Sequence, residues 1–515
     1  MISIKTGNNV WDGFWPLMEG MISKNRVEIE KNGVVYRGYH SPDCPWLWFR
    51  DCIHYMLATM YIDPDIRSAV DLMLGTQQDD GSYLDFIRQD GSMLRVPTEA
   101  DLEYLAVIGT YRAWLASGDD SWLEKCVPRL VKGIDYMTSH PWRWDEEHGL
   151  PKRAYTIDTW DFDIREGLEK LNWPGFIDEK THFGIMHGDV SGLFQAYRLL
   201  GEMVQHLGDA DQAKELWAKA EGIKERANKL LWNGKFYMHR YPLDDFRVDG
   251  LDESSQLSLS NSYDLNRGLP DPEMARSIIR EYMRRRDEGQ AFAEWYSIDP
   301  PFPIGVFGDP KLKPGVYVNG GIMPLVGGEL ARAAFRYGFD EYGLDILKRY
   351  YEMVESSGEA YLWYFPDGRH ATKEESTSPE AYASDPWGAS AMAGAFIQGL
   401  VGIRAGRPSF GATWFEPKWH IAGIDHAEVK IQYAASGAGF EYAYEKTGPK
   451  SIRYRIKARS LKDFHIGLPF DVSEAGADLD GKPVDVEIEE WSCGMGTAFC
   501  GTMDGDLTID VKLKE

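Results

Sequence analysis

The chain has 515 residues, with 56 basic against 81 acidic side chains and a formal net charge of −25. So acidic a surface repels polyphosphate and anionic lipid, which excludes nucleic acid and membranes as expected partners and favours neutral or cationic ones. A chain this long buries a large core without disulfides or metals, and many of its 18 Trp and 27 Tyr stand beside acids and glycines, a placement that suits carbohydrate stacking better than packing.

The first residues show no basic region, apolar run and cleavage site in succession, and no stretch approaches a membrane span, so a cytoplasmic location is expected. The five cysteines are odd in number and lack metal-ligand spacing, which fits a reduced compartment and no metal; Cys493 and Cys500 read as buried free thiols. Apolar residues then recur at helical spacing, predicting helices over 9–23, 48–61, 63–75, 99–117, 121–138, 189–206, 210–231, 271–285, 320–338, 340–356 and 387–404. Gly118 closes one helix with Ser121 capping the next, and Gly208-Asp209 does similar work between the following pair, so these are helical hairpins. A solenoid would repeat its loops at a fixed period. Here the connections differ widely and the longest (139–188, 232–270, 286–319 and 357–386) hold most of the unusual chemistry, which favours a closed double ring. After about 408 the pattern turns to alternation, with Asp480-Gly481 and Asp504-Gly505 as hairpin turns. Two domains are expected: a helical one over 1–407 and an antiparallel β-sandwich over 408–515.

Three acids and three aromatics interleave from Tyr155 to Asp163. An aromatic face stacks on the apolar side of a pyranose while carboxylates take its hydroxyls, and a carboxyl group walled by rings such as Trp160 has its pKa raised by desolvation, as a general acid needs. Trp46-Leu47-Trp48-Phe49-Arg50-Asp51 puts an Arg and an Asp beside aromatics at a helix start, where capping is the plainer role. Tyr317-Val318-Asn319-Gly320-Gly321 offers exposed amides and a carboxamide, with helix capping as the alternative. His182 and His187 read as cleft-lining or core histidines, since no third ligand has helical spacing to them, and no cofactor is implied.

Trp160-Asp161-Phe162 resembles the motif around the general acid of trehalases and related α-glucosidases, with Asp163 and Ile164 standing where that family has two serines before its Arg, here Arg165. Together with Trp48-Phe49-Arg50-Asp51, Tyr317-Val318-Asn319-Gly320-Gly321 and Asp385-Pro386-Trp387-Gly388, the chain resembles the six-hairpin glycosidases, the (α/α)6-barrel superfamily. That group includes trehalases, glucoamylase-like enzymes, amylo-α-1,6-glucosidases, α-L-rhamnosidases and cellobiose phosphorylases. The passage from the last helix into a β domain looks most like rhamnosidases and the phosphorylases.

The resemblance implies an exo-acting, inverting glycoside hydrolase of α-glucosidase type. Asp161 would be the acid, Arg50 and Asp51 would hold the terminal sugar's hydroxyls, Trp48 would be its platform, and Trp160, Asn319 and Trp387 would line the cleft. The base would come from the loop before the last helix, among Glu359, Glu374, Glu375, Glu380 and Asp385. Glu380 ranks first because it follows Pro379 and adjoins Tyr382, whereas Glu374 and Glu375 read as a solvated acidic pair. The alternatives are an α-L-rhamnosidase, a phosphorylase using His370, Lys373, Ser376 and Thr377 for phosphate, and a carbohydrate-binding protein without catalysis. The expected partner is a carbohydrate, and a homo-oligomer is left open.

Overall fold

Local signals set most helix ends. Asn8 caps α1 (Asn9–Ser23) by accepting from the Val10 and Trp11 amides, and Asp209 caps α7 (Ala210–Leu230) through the Gln212 amide. Gly118 closes α4 (Leu102–Ser117) in the left-handed conformation as expected, but Asp119 rather than Ser121 caps α5 (Asp120–Met137), because its carboxylate reaches the Trp122 amide at 2.9 Å. The other helices are α2 (Phe49–Thr59), α3 (Ser68–Leu74), α6 (His187–His206), α8 (Ser260–Arg267), α9 (Pro272–Glu288), α10 (Pro324–Arg336), α11 (Asp340–Val354) and α12 (Pro386–Ala395). The computed structural model describes residues 1–40, 46–161, 163–372, 384–461, 463–467, 472–484, 487–491, 494–498 and 503–513.

The even-numbered helices form the inside. Nearly every residue of α4 is buried, whereas α5 buries one stripe and leaves the rest to solvent. α2, α4, α6, α8, α10 and α12 touch one after another, and α12 packs back on α2, so their contacts close a cycle. α1 and α11 pack against α12, α5 against α4 and α6, and α7 against α6. The approach of α10 to α12 is close because a β-carbon on Gly328 would stand 2.5 Å from the Ala391 carbonyl carbon. Among the described residues, no helix is long and apolar enough to cross a membrane.

A seven-stranded antiparallel sheet follows, in the order Ile2–Lys5, His426–Gln432, Gly439–Gly448, Ser451–Leu461, Met503–Leu513, Val472–Leu479 and Lys482–Val484. Its first strand comes from the start of the chain and pairs Ile2 with Ile431 and Lys5 with Glu428. A five-stranded sheet joins Ile403–Ala405, Ala412–Phe415, Asp463–Gly467, Gly494–Ala498 and Glu487–Trp491, with one parallel pair between Ala412–Phe415 and Asp463–Gly467. Trp419 Nε1 donates to Tyr442 Oη (2.7 Å), which donates to the Val401 carbonyl (2.7 Å), tying the sheet to the end of the helical part.

One hairpin is added and three local expectations are corrected. Arg26–Lys31 and Val34–Tyr39 form a β-hairpin turned by Asn32-Gly33, both at positive φ. α8 lies where a loop is expected, since its eight residues are too polar to show an apolar period. The last helix stops at Ala395, continues as a π-turn over Phe396–Leu400, and gives way to a strand at Ile403. Asp504-Gly505 lies within the strand Met503–Leu513, where Gly505 pairs with Ala458, and is not a turn; Asp480-Gly481 does turn a hairpin.

Candidate active site

Helix starts converge on one group of side chains. Arg50 in the first turn of α2 is buried and pairs with Glu99 Oε2 (2.5 Å) and with Asp101 Oδ2 (2.7 Å) at the start of α4. Burial works against the Arg50 charge, but Asp101 and Glu99 outweigh it and hold its pKa well above the usual value. Glu99 is pushed up by burial in spite of Arg50. Arg50 is thus ordered by two acids that sequence reading did not single out, although Glu99-Ala100-Asp101 opens the helix predicted over 99–117. Asp51, the next residue of α2, is partly exposed.

The acids between Tyr155 and Asp163 separate into two jobs. Asp158, buried, accepts from the Ser260 amide (3.0 Å) and from its hydroxyl, and its own amide donates to His239 Nε2 (2.9 Å). Burial opposes its charge, but His187 and the bonds from Ser258 and Ser260 hold it below the usual range. Asp163, also buried, receives Arg165 Nη2 (2.6 Å) and Nε (2.9 Å). Both carboxylates therefore hold the loop. Asp161 is partly exposed, and its Oδ2 accepts from Trp173 Nε1 (2.7 Å). Burial raises the Asp161 pKa, while the Arg50 charge and the Trp173 bond oppose the rise.

The loop carrying Asp161 is braced through its backbone. Thr98 Oγ1 donates to the Asp161 carbonyl (2.5 Å), and the buried Arg153 donates to the Trp160 carbonyl (2.7 Å) and the Thr98 carbonyl (3.1 Å). Arg153 also faces Asp189 at 3.5 Å at the start of α6, whose carboxyl burial raises to about 6 despite that partner. Gly175 is required here: a β-carbon would collide with Thr98 Oγ1 and stand 2.9 Å from the Asp161 carbonyl, at φ +81°.

Two sets of aromatic rings stand near the Asp161 loop, one through Trp173 and one through Trp160. Trp46 stacks on Phe86 (4.9 Å between centroids) and on Trp173 (6.2 Å), and Trp48 lies 4.4 Å from Phe86. Trp160 is parallel to Trp387 at 6.4 Å and donates from Nε1 to Tyr317 Oη (2.8 Å). Trp387 opens α12, donates to Tyr263 Oη (3.0 Å) and stacks on His54 (4.9 Å). His54 stands one helical turn after Arg50, a spacing that would have exposed it in the sequence; burial first, then neighbouring arginines, hold it neutral.

The structure thus brings Trp48, Arg50, Asp51, Trp160, Asp161 and Trp387 to the starts of α2 and α12 and the adjoining 155–161 loop. Asn319 is buried inside its own loop, accepting from the Phe302 amide (2.7 Å) and donating to the Phe302 (3.1 Å) and Leu312 (2.9 Å) carbonyls, so its amide clamps the backbone. Glu374, Glu375 and Glu380, with Lys373, Ser376 and Thr377, lie outside the described residues. Of the other acids considered there, Glu359 pairs with Lys24 (2.8 Å) and Asp385 caps α12 through the Trp387 amide (2.9 Å). His187 bridges Asp264 (2.6 Å) and Ser258 (2.8 Å) in the core, and His182 pairs with Asp244 (2.8 Å).

No protein-family model matches the sequence, and no curated protein matches it. Solved structures do. A GH78 family rhamnosidase of Bacillus sp. GL1 aligns with a TM-score of 0.62 at 16% identity, over 91% of this chain and 43% of that one. The Streptomyces avermitilis α-L-rhamnosidase complexed with L-rhamnose gives 0.61 at 11%, over 99% of this chain and 42% of that one. The GH63 mannosylglycerate hydrolase of Thermus thermophilus gives 0.51 at 13%, over 75% of this chain and 100% of that one. The chain therefore spans less than half the length of these rhamnosidases, and what it shares with all three is the fold.

Proposed function

We propose that the chain is a glycoside hydrolase that removes a terminal sugar with inversion of configuration, with Asp161 as general acid. One observation carries this reading: of the three acids in the 155–163 loop, only Asp161 is partly exposed, and it accepts a bond from the Trp173 ring with its pKa raised by burial. A carboxyl whose protonated form is favoured by burial can donate to a departing glycosidic oxygen, and neighbouring Trp rings can take the apolar face of a sugar. Arg50, Asp51, Trp48 and Trp387 are proposed to hold that sugar. The base is proposed to come from the 357–386 loop, with Glu380 first, about 6.5–9.5 Å from Asp161, as direct attack by water requires. The closed cycle of inner-helix contacts supports reading the helical part as an (α/α)6 barrel, and the two C-terminal sheets support a β-sandwich.

An α-D-glucoside is the first choice of substrate, on Trp160-Asp161-Phe162. An α-L-rhamnoside is the second, because rhamnosidases share the fold over 91% and 99% of this chain. Aryl glycosides of both sugars decide between them. With the accepted sugar, Asp161→Asn should lose about three orders of magnitude on a substrate with a poor leaving group and far less on the glycosyl fluoride, which needs little protonation. Equal losses on both would remove Asp161 from the acid role. Proton NMR of the first product should show the inverted anomer, and a retained one would refute the mechanism.

A further inference from the structure

A second constellation lies at the other ends of the same helices. An open-mouthed cavity of about 650 Å³ is lined by the later turns of α2, α4, α6, α8 and α10 and by the strands Ile403–Ala405 and Ala412–Phe415. Six arginines line it: Arg112, Arg198, Arg267, Arg332, Arg336 and Arg404. Glu202 is the acid in the wall, and Glu329 stands behind it. Burial raises the Glu202 pKa, the Tyr111 hydroxyl (2.9 Å) and the Arg198 charge oppose the rise, and one carboxylate in the wall faces six guanidinium groups.

Close carboxylates are few around these arginines, although more distant acids, Asp264 and Glu329 among them, raise the Arg267 pKa against its burial. Among the described residues Arg332 pairs with Glu329, while Arg112, Arg198, Arg267 and Arg336 have no ion pair. Arg112 donates to the Ile53 carbonyl (2.7 Å), Arg336 to the Asn266 carbonyl (3.3 Å), and Arg267 to the Gly188 carbonyl (2.7 Å) and the Ser191 hydroxyl (2.9 Å). Carbonyls and hydroxyls orient a guanidinium without cancelling its charge. Nε of both Arg332 and Arg336 is buried without a hydrogen-bond partner. Burial and the repulsion of Arg332 push Arg112 down to about 10. Gathering like charges in a partly enclosed space is costly, and it is the more conspicuous in a chain of net charge −25.

We infer that this cavity binds a small multivalent oxyanion, a phosphate-bearing or polycarboxylate metabolite. Guanidinium forks match the paired oxygens of phosphate and carboxylate, and the volume exceeds that of a lone phosphate and falls in the range of metabolite pockets. Most of the cavity's wall comes from the later turns of helices whose first turns carry Arg50 and Asp189, and Arg267, which reaches Gly188 and Ser191 and lies over Tyr263, stands between it and the aromatic cluster.

Calorimetric titration of the full chain with inorganic phosphate, citrate and a hexose phosphate, at ionic strength held constant with chloride, tests this. At least one should bind saturably, one per chain, and the preferred one identifies the source of the anion. Arg112→Gln and Arg336→Gln should each weaken that binding at least tenfold, whereas Asp161→Asn should leave it unchanged. Arg198→Gln provides the same test should either variant fail to fold. Absence of saturable binding by all three anions, or an affinity unchanged in the arginine variants, would overturn the inference. Because the readout is heat of binding, it stands or falls independently of glycosidase activity.

Discussion

Asp158, Asp161 and Asp163 are alike in sequence and differ in what surrounds them. Asp163 is buried against Arg165, so removing it leaves an uncompensated buried charge, and Asp163→Ala should cost about 3–5 kcal/mol in urea unfolding. Asp161 is held at an energetic disadvantage by burial, so Asp161→Asn should change stability by under about 1 kcal/mol while sharply lowering turnover of a substrate with a poor leaving group. Equal destabilisation by the two would mark Asp161 as structural. Asp189 gives a pH test. Its folded pKa, raised to about 6, lies above the unfolded value near 4, so between these values the folded state holds the extra proton. Stability therefore falls as pH rises through that window, by about 3 kcal/mol for a separation of about two pH units. Asp189→Asn should flatten the urea midpoint between pH 4 and 6; an unchanged slope would assign it to another group. Which of these carboxylates is open and which is clamped was not legible, because Ser260, Arg165 and Trp173 reach them only in the folded chain.

At the scale of elements, the 155–161 loop depends on a segment far from it in the chain. Thr98 precedes α4 and Gly175 follows the loop, and the two meet at the Asp161 carbonyl. A methyl group at Gly175 cannot fit without moving that carbonyl, so Gly175→Ala should lower kcat by about tenfold to a hundredfold, as a displacement of about 1 Å at a reacting group does. Its far-UV circular dichroism should stay that of the parent, and unchanged kcat would show that the loop position is not critical. Helices with an apolar period were legible, as were the Gly118, Asp209 and Asp480-Gly481 signals. α8 was not, because its polar residues are buried by neighbouring helices rather than by an apolar stripe of their own. The 26–39 hairpin was legible in principle from Asn32-Gly33 between alternating residues.

For the whole molecule, the strand Ile2–Lys5 ties the start of the chain to the sheet at His426–Gln432, with the α-amino group of Met1 just before it donating to the carbonyls of Tyr61 (2.9 Å) and Gln432 (2.8 Å). Deleting residues 1–5 should lower Tm by several degrees and expose His426–Gln432 as an open edge prone to pairing between molecules. Calorimetry and light scattering check both, and an unchanged Tm would make the strand an ornament of the sheet. The sequence by itself determined the helical and alternating halves, the hairpin order and the clustering of acids with aromatics, since these follow from periodicity and turn chemistry between near neighbours. Only the tertiary structure decided that α12 meets α2, that Arg50 is ordered by Glu99 and Asp101, that Asn319 clamps a loop, and that six arginines share one cavity. Those pairings join residues that the chain keeps far apart, and local pattern carries no information about which distant turns will meet.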